Sequence, residues 1–229
     1  MSTTNHEARL SGLFASNSKM KNLANNLLDL IFPPMCHGCG RVDTRWCEVC
    51  LEDLANIPIQ PTDYLPEVLT GLSATGKHTG KLQEAVQAFK YHDTPSLAEI
   101  LGNRLSSLLE EKTWTFDTIL PVPLFAERER KRGYNQAYLL SKQVSNSMNI
   151  PCQPHLLNRY RDTNHQVGLN AIERRDNVND AFIANTEVAG QSILLIDDVV
   201  TTGATLDECA VALFNAGAKY VYVMTVSHA

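Results

Sequence analysis

The stretch Ile193–Thr205 reads ILLIDDVVTTGAT: four apolar residues, then Asp197 and Asp198, two valines, and Thr201, Thr202, Gly203, Ala204 and Thr205. Residue types in this order can bind a phosphate. A turn that opens a helix presents unpaired backbone N–H groups and the positive end of the helix dipole. Threonine hydroxyls add donors, and a glycine lets the backbone approach an anion closely. Asp197 and Asp198, placed at the carboxyl end of a strand, can accept hydrogen bonds from a vicinal diol or hold the water shell of a metal ion. A phosphate cradle and a diol grip one turn apart fit ribose 5-phosphate. The plainer alternative is a strand ending in two solvated carboxylates and a helix-capping threonine. No Gly-x4-Gly-Lys-Ser/Thr string occurs, which excludes a Walker A site.

Four of the six cysteines are spaced Cys36-x2-Cys39-x7-Cys47-x2-Cys50. Two Cys-x2-Cys pairs gather four thiolates as tetrahedral Zn²⁺ requires, with Gly38 and Gly40 to permit the turn. Four sulfurs fill the coordination sphere, so one structural Zn²⁺ per chain is expected and His37 is a passenger. Two disulfides or an iron–sulfur centre are the alternatives. The first needs an oxidising compartment, and a redox Cys-x2-Cys normally occurs once, beside a βαβ pattern. Cys152 and Cys209 read as small buried apolar residues.

Across 229 residues the formal charge is −5, with 44% apolar and 20% charged residues, which excludes a disordered or fibrous chain. The charge is uneven. Residues 121–175 hold nine basic side chains (Arg128, Arg130, Lys131, Arg132, Lys142, Arg159, Arg161, Arg174 and Arg175) and four acidic ones, a local +5 against −10 for the rest. Such a window favours an anion, either a small phosphate ester or a nucleic-acid backbone. Tyr134, Tyr138 and Tyr160 lie in or beside it as candidate stacking faces, or else as half-buried packing residues. No apolar run reaches the roughly 18 residues that span a bilayer, and no basic-then-apolar leader is visible. A cytoplasmic protein without membrane insertion is expected.

These residues need elements to position them. Residues 1–22 read as a disordered extension, with Met1 or Met20 as the start. A helix and the four-cysteine zinc knuckle occupy 23–60, and IPIQPTDYLP at 57–66 reads as a linker. The domain from 67 to 229 begins with two amphipathic helices, marked by Leu82, Val86 and Phe89 and by Leu97, Ile100, Leu101, Leu105 and Leu108, and broken at His92–Pro95. Strands are expected at 116–122, more weakly at 154–159, at 192–196 and at 220–226. Helices are expected at 136–148 and 205–216, the last capped by Thr205 and closed by Gly217. Alternation of this kind implies an α/β fold with a mainly parallel sheet and helices on both faces, binding its ligand beyond the carboxyl ends of the strands.

The thirteen residues Ile193–Thr205 resemble the phosphoribosyl pyrophosphate (PRPP) loop of type I phosphoribosyltransferases. From about Leu27 to Thr225 the chain is similar to the ComF family of competence-associated proteins. The blocks that carry this are CHGCG…WCEVC, AFKYHDTPSLAEILG, PVPLFAERERKRGYNQAYLL, NRYRDTNHQVGLNAIERRDNV and the loop itself. The resemblance implies that Asp197 and Asp198 face the ribose hydroxyls, that residues 201–205 enclose the 5-phosphate, and that Mg²⁺ accompanies the pyrophosphate. It places Arg128, Arg130, Lys131 and Arg132 on the pyrophosphate loop, where a DNA backbone is the alternative partner. Arg174 and Arg175 fall on a flexible catalytic loop, at 163–179. Lys90 and Tyr91 belong to a family block with no role legible from the residues. The function implied is binding of PRPP or a related ribose phosphate in the handling of incoming single-stranded DNA, with competence proteins as partners. The alternative is an active transferase moving phosphoribosyl from PRPP to an unidentified acceptor.

Overall fold

The computed structural model describes residues 33–64, 67–160 and 181–229; the expected N-terminal extension and helix, and the segment carrying Arg174 and Arg175, lie outside them. The chain divides between Cys47 and Glu48 into two compact units.

In the first unit the chain reverses between Met35 and Val42, which form an antiparallel bridge. The Gly40 N–H donates to the Cys36 carbonyl at 2.7 Å, and the Cys36 N–H donates to the Arg41 carbonyl at 2.7 Å. Gly40 adopts φ +76°, the left-handed region that favours glycine; Gly38 does not need that freedom.

The second unit opens with α1 (Glu48–Ala55) and β1 (Thr62–Tyr64), then β2 (Gly71–Ala74), α2 (Gly80–Tyr91) and α3 (Leu97–Glu110). There follow β3 (Thr118–Pro121), α4 (Ala126–Arg132), α5 (Gln136–Met148), β4 (Leu157–Arg159) and β5 (Phe182–Ala184). It ends with β6 (Ser192–Val200), α6 (Ala204–Asn215) and β7 (Tyr220–His228). Five strands form one sheet in the order β1-β2-β7-β6-β3, and β4 and β5 make a separate antiparallel ribbon. Within the large sheet only the β1–β2 edge pair is antiparallel; β2–β7, β7–β6 and β6–β3 are parallel.

Ile193, Leu194, Leu195 and Ile196 of β6 are all fully buried, as a strand covered on both faces requires. Side chains alternate along a strand. Ile193 and Leu195 share one core with Val221 and Val223 of β7 and with Leu206, Cys209 and Leu213 of α6. Leu194 and Ile196 point the other way, towards the layer of α2, α3 and α5, which packs on β7, β6 and β3. The same alternation assigns Asp197 to the α6 face and Asp198 to the α2–α3–α5 face.

The apolar stripes place both leading helices as expected, with Leu82, Val86 and Phe89 buried on α2 and Leu97, Leu101, Leu105 and Leu108 buried on α3. Three local readings are corrected. β6 continues through both aspartates to Val200, because Val199 and Val200 still pair with Ser227 and His228. The N-cap of α6 is Gly203 at φ +81°, with no side-chain cap, rather than Thr205. Residues 57–66 carry the edge strand β1, and the buried Arg104 ties the approach to it by donating from Nη1 to the Ile57 carbonyl at 2.6 Å. No helix among the described residues is long and apolar enough to cross a membrane.

Candidate functional site

Beyond the carboxyl ends of β3 and β6 lies a cavity of about 400 Å³, lined among others by His78, Lys90, Tyr91, Arg128, Arg132, Asn135, Gln136, Arg159, Asp197, Asp198, Thr201 and Thr205. A smaller hollow of about 70 Å³ sits under the turn from Thr201 to Leu206 and is also bounded by Asp197. Its left-handed Gly203 swings the chain from strand to helix, and the first N–H groups of α6 face the turn; the Ala204 N–H meets Thr202 Oγ1 only at 3.5 Å. The structure thus brings Asp197, Asp198, Thr201 and Thr205 to one cavity, with Thr202, Gly203 and Ala204 around the adjoining hollow.

α4 sorts the basic cluster. Its sequence AERERKR has no apolar stripe, and none of its residues is buried. Residues four apart share a helical face. Arg128 and Arg132, half-buried, line the cavity, whereas Arg130 projects from the exposed side. Lys131 pairs with Glu127 at 2.8 Å and borders a neighbouring depression with Lys90 and Tyr91. Arg174 and Arg175 lie outside the described residues.

The string Arg132–Gln136 fastens this wall residue by residue. Arg132 stands over the Tyr91 ring at 5.3 Å, and Gly133 closes α4 at φ +92°. The Tyr134 hydroxyl donates to the Phe89 carbonyl at 2.6 Å; burial pushes this phenol up to about 12. Asn135 donates from Nδ2 to the Val122 carbonyl at 3.1 Å and caps α5 by accepting from the Tyr138 N–H. Gln136 donates from Nε2 to Asp198 Oδ2 at 3.3 Å.

Lys90 is legible in sequence only as part of a family block, yet it stands at the centre. Its ammonium lies 2.8 Å from Asp198 Oδ1, and Asp198 is only 4% exposed. Burial acts to lower Lys90, but the Asp198 carboxylate, helped by Asp197, overrides it and holds the ammonium above its ordinary value. Asp197 goes the opposite way. Burial first and the neighbouring Asp198 charge second push its carboxyl up to about 7, against the attraction of Lys90. His78, its Nδ1 2.9 Å from Ser227 Oγ, is lowered by burial and then by the nearby Lys90. No local spacing announces Lys90 or His78, because their partners lie on distant strands.

The cysteines form the second candidate site. The sulfurs of Cys36, Cys39, Cys47 and Cys50 lie within 4.8 Å of one another and can hold a metal ion. Cys39 and Cys47 Sγ are 3.6 Å apart, close to the roughly 3.8 Å edge of a tetrahedron with 2.3 Å metal–sulfur bonds. Burial raises the Cys36 thiol, but N–H donation from Cys47, Gly38 and Cys39 outweighs it and brings it down to about 6. Cys209 is fully buried and Cys152 partly so.

Residues 90–228 match the phosphoribosyl transferase domain family. Competence protein F of Haemophilus influenzae is 33% identical over 204 residues, covering 86% of this chain and 85% of that protein. DNA utilization protein YhgH of Escherichia coli (strain K12) is 37% identical over 196 residues, covering 82% and 86%. Competence protein ComFC of Bacillus subtilis is 25% identical over 209 residues, covering 89% and 78%. Likeness along most of each partner's length, with a parallel sheet and a four-cysteine cluster in the expected places, shows that the chain belongs to the ComF family and has a type I phosphoribosyltransferase fold.

Proposed function

We propose that this chain binds PRPP or a related ribose phosphate in the cytoplasm and serves in handling incoming single-stranded DNA during natural competence. The observation that carries the ligand is the shared cavity, where Asp197, Asp198, Thr201 and Thr205 stand with Lys90, Arg128, Arg132 and Arg159. In this reading the two aspartates accept from the ribose hydroxyls, and the turn from Thr201 to Thr205 donates to the 5-phosphate through hydroxyls and backbone N–H groups. Arg128 and Arg132 take the pyrophosphate, which Mg²⁺ accompanies. By sequence alone, the reading extends to Arg174 and Arg175 as further anion contacts.

The names of the relatives, competence protein F and DNA utilization protein, support the DNA side. Arg130 and Lys131 are exposed on α4, and Tyr91 (69% exposed) and Tyr160 (62% exposed) offer stacking faces beside cationic side chains. Tyr134, tied to Phe89, is a wall residue instead. One Zn²⁺ on the four cysteines holds the knuckle, a segment too short to bury a core of its own.

Calorimetric titration of the full chain with PRPP and Mg²⁺, repeated with a short single strand present, tests both halves. Saturable PRPP binding that disappears in the Asp197→Asn/Asp198→Asn variant is expected. Unchanged binding in that variant removes the diol grip, and the absence of any strand binding at low salt removes the DNA role.

A further inference from the structure

Two adjacent carboxylates at the end of a strand invite a divalent cation, and the wall around them argues against one. Both oxygens of Asp198 are engaged, Oδ1 by Lys90 at 2.8 Å and Oδ2 by Gln136 at 3.3 Å. One oxygen of Asp197 accepts the Asp198 backbone N–H at 2.8 Å. Mg²⁺ demands near-octahedral oxygen ligands at about 2.0–2.1 Å and gives up its waters reluctantly. An ammonium already in contact with one carboxylate occupies that space and repels the ion. The same cavity is lined by Arg128, Arg132 and Arg159, so four cationic side chains face two carboxylates. The donor set therefore does not fit a metal ion held directly on the aspartates.

We propose that the Lys90 ammonium is the resident cation of this site: seated on Asp198, it takes the place beside the two carboxylates that a divalent ion would otherwise fill, so that a ribose phosphate can engage Asp197 and Asp198 with no metal bound to them. Lys90 acts as a positioning residue. It neutralises Asp198, holds that carboxylate in place together with Gln136, and leaves Asp197 and the remaining lone pairs of Asp198 to the ligand. Its three N–H donors allow it to keep Asp198 while reaching an anionic oxygen of the ligand. This deepens the ribose-phosphate reading by defining the cation requirement of the site, and its main test does not depend on that reading.

Zinc-loaded protein is titrated with Mn²⁺ alone and followed by electron paramagnetic resonance. Wild type is expected to show only weak, non-stoichiometric binding. Lys90→Met, close in length but without charge, is expected to bind one Mn²⁺ at least about tenfold more tightly, because the cation seated in contact with Asp198 is then gone. Adding Asp197→Asn to that variant should abolish the gain, and Lys90→Arg should behave as wild type. Tight Mn²⁺ binding by wild type that Asp197→Asn removes would overturn the proposal. So would a folded Lys90→Met variant no better than wild type. Because the wild-type arm is read without any substitution, it decides even if Lys90→Met fails to fold. A parallel titration with ribose 5-phosphate in magnesium-free buffer should give wild-type affinity within about threefold of that in Mg²⁺. Complete absence of ribose 5-phosphate binding under both conditions counts against the ribose-phosphate reading, while the Mn²⁺ result still judges Lys90.

Discussion

Burial raises Asp197, so its carboxyl in the folded chain keeps a proton at pH values where the unfolded chain has lost it. Between the ordinary 3.8 and about 7 the native state binds more protons than the unfolded one at this position. The stability it contributes is therefore present at the acid end of that window and declines as pH rises through it. Asp197→Asn removes the decline. The melting temperature of the variant minus that of wild type should grow steadily from about pH 4 to pH 7, as followed by scanning fluorimetry, and a flat difference would contradict the raised carboxyl. Ligand affinity should move the other way and improve as Asp197 ionises, since a carboxylate is the better acceptor for a diol. At this scale the aspartates and threonines are legible in sequence because their neighbours position them. Lys90 and Gln136 are not, because each is defined by Asp198, which reaches them only through folding.

Gly102, in the interior of α3, shows how element packing overrides propensity. Alanine is the better helix former by roughly 1 kcal/mol, yet its Cβ would lie 2.5 Å from Gln143 Cβ on α5. The obstructing atom is the root of a side chain and cannot swing aside. Gly102→Ala should therefore destabilise by about 1–3 kcal/mol through overpacking. At about 2–4 °C per kcal/mol for a chain of this size, the loss is readable in a melting curve. Gly203→Ala tests the turn instead. Nothing crowds the added Cβ, but φ +81° is strained for alanine, so a cost of about 1 kcal/mol is expected with weaker phosphate binding and an intact α3–α5 contact. The long periodic elements α2, α3 and α5 can be read from their stripes, and β6 from its apolar run. β2 escapes because Gly-Leu-Ser-Ala is short and has no β-branched residue, although the sheet buries all four. α4 escapes because a helix without an apolar face leaves no period to read.

Over the whole molecule the uneven charge has a testable form. Arg130 and Lys131 project from α4 while Arg128 and Arg132 line the cavity. Arg130→Ala should thus weaken single-strand binding, reducing the slope of log affinity against log salt by about 0.7 for each phosphate no longer neutralised, while leaving ribose 5-phosphate binding unchanged. Gel shift across a salt series and calorimetry separate the two. Metal removal tests the four-cysteine cluster. Trp46 is buried within the cysteine segment, whereas Trp114 stacks on Tyr222 at 4.9 Å. Chelation should shift part of the tryptophan emission to the red, reversibly on adding Zn²⁺, and the sheet's circular dichroism should persist. One further consequence lies in the alternation along β6. Asp197 answers to the α6 layer and Asp198 to the α2–α3–α5 layer, so the dipeptide is a hinge pin between two halves of the fold and not a doubled group. The two residues are identical in chemistry and opposite in address. Deleting a single residue of β6 ahead of Asp197 would turn Asp198 to the α6 face and bring Val199 to the α2–α3–α5 face in its place, leaving Lys90 without its anchor while the sequence still displayed both aspartates.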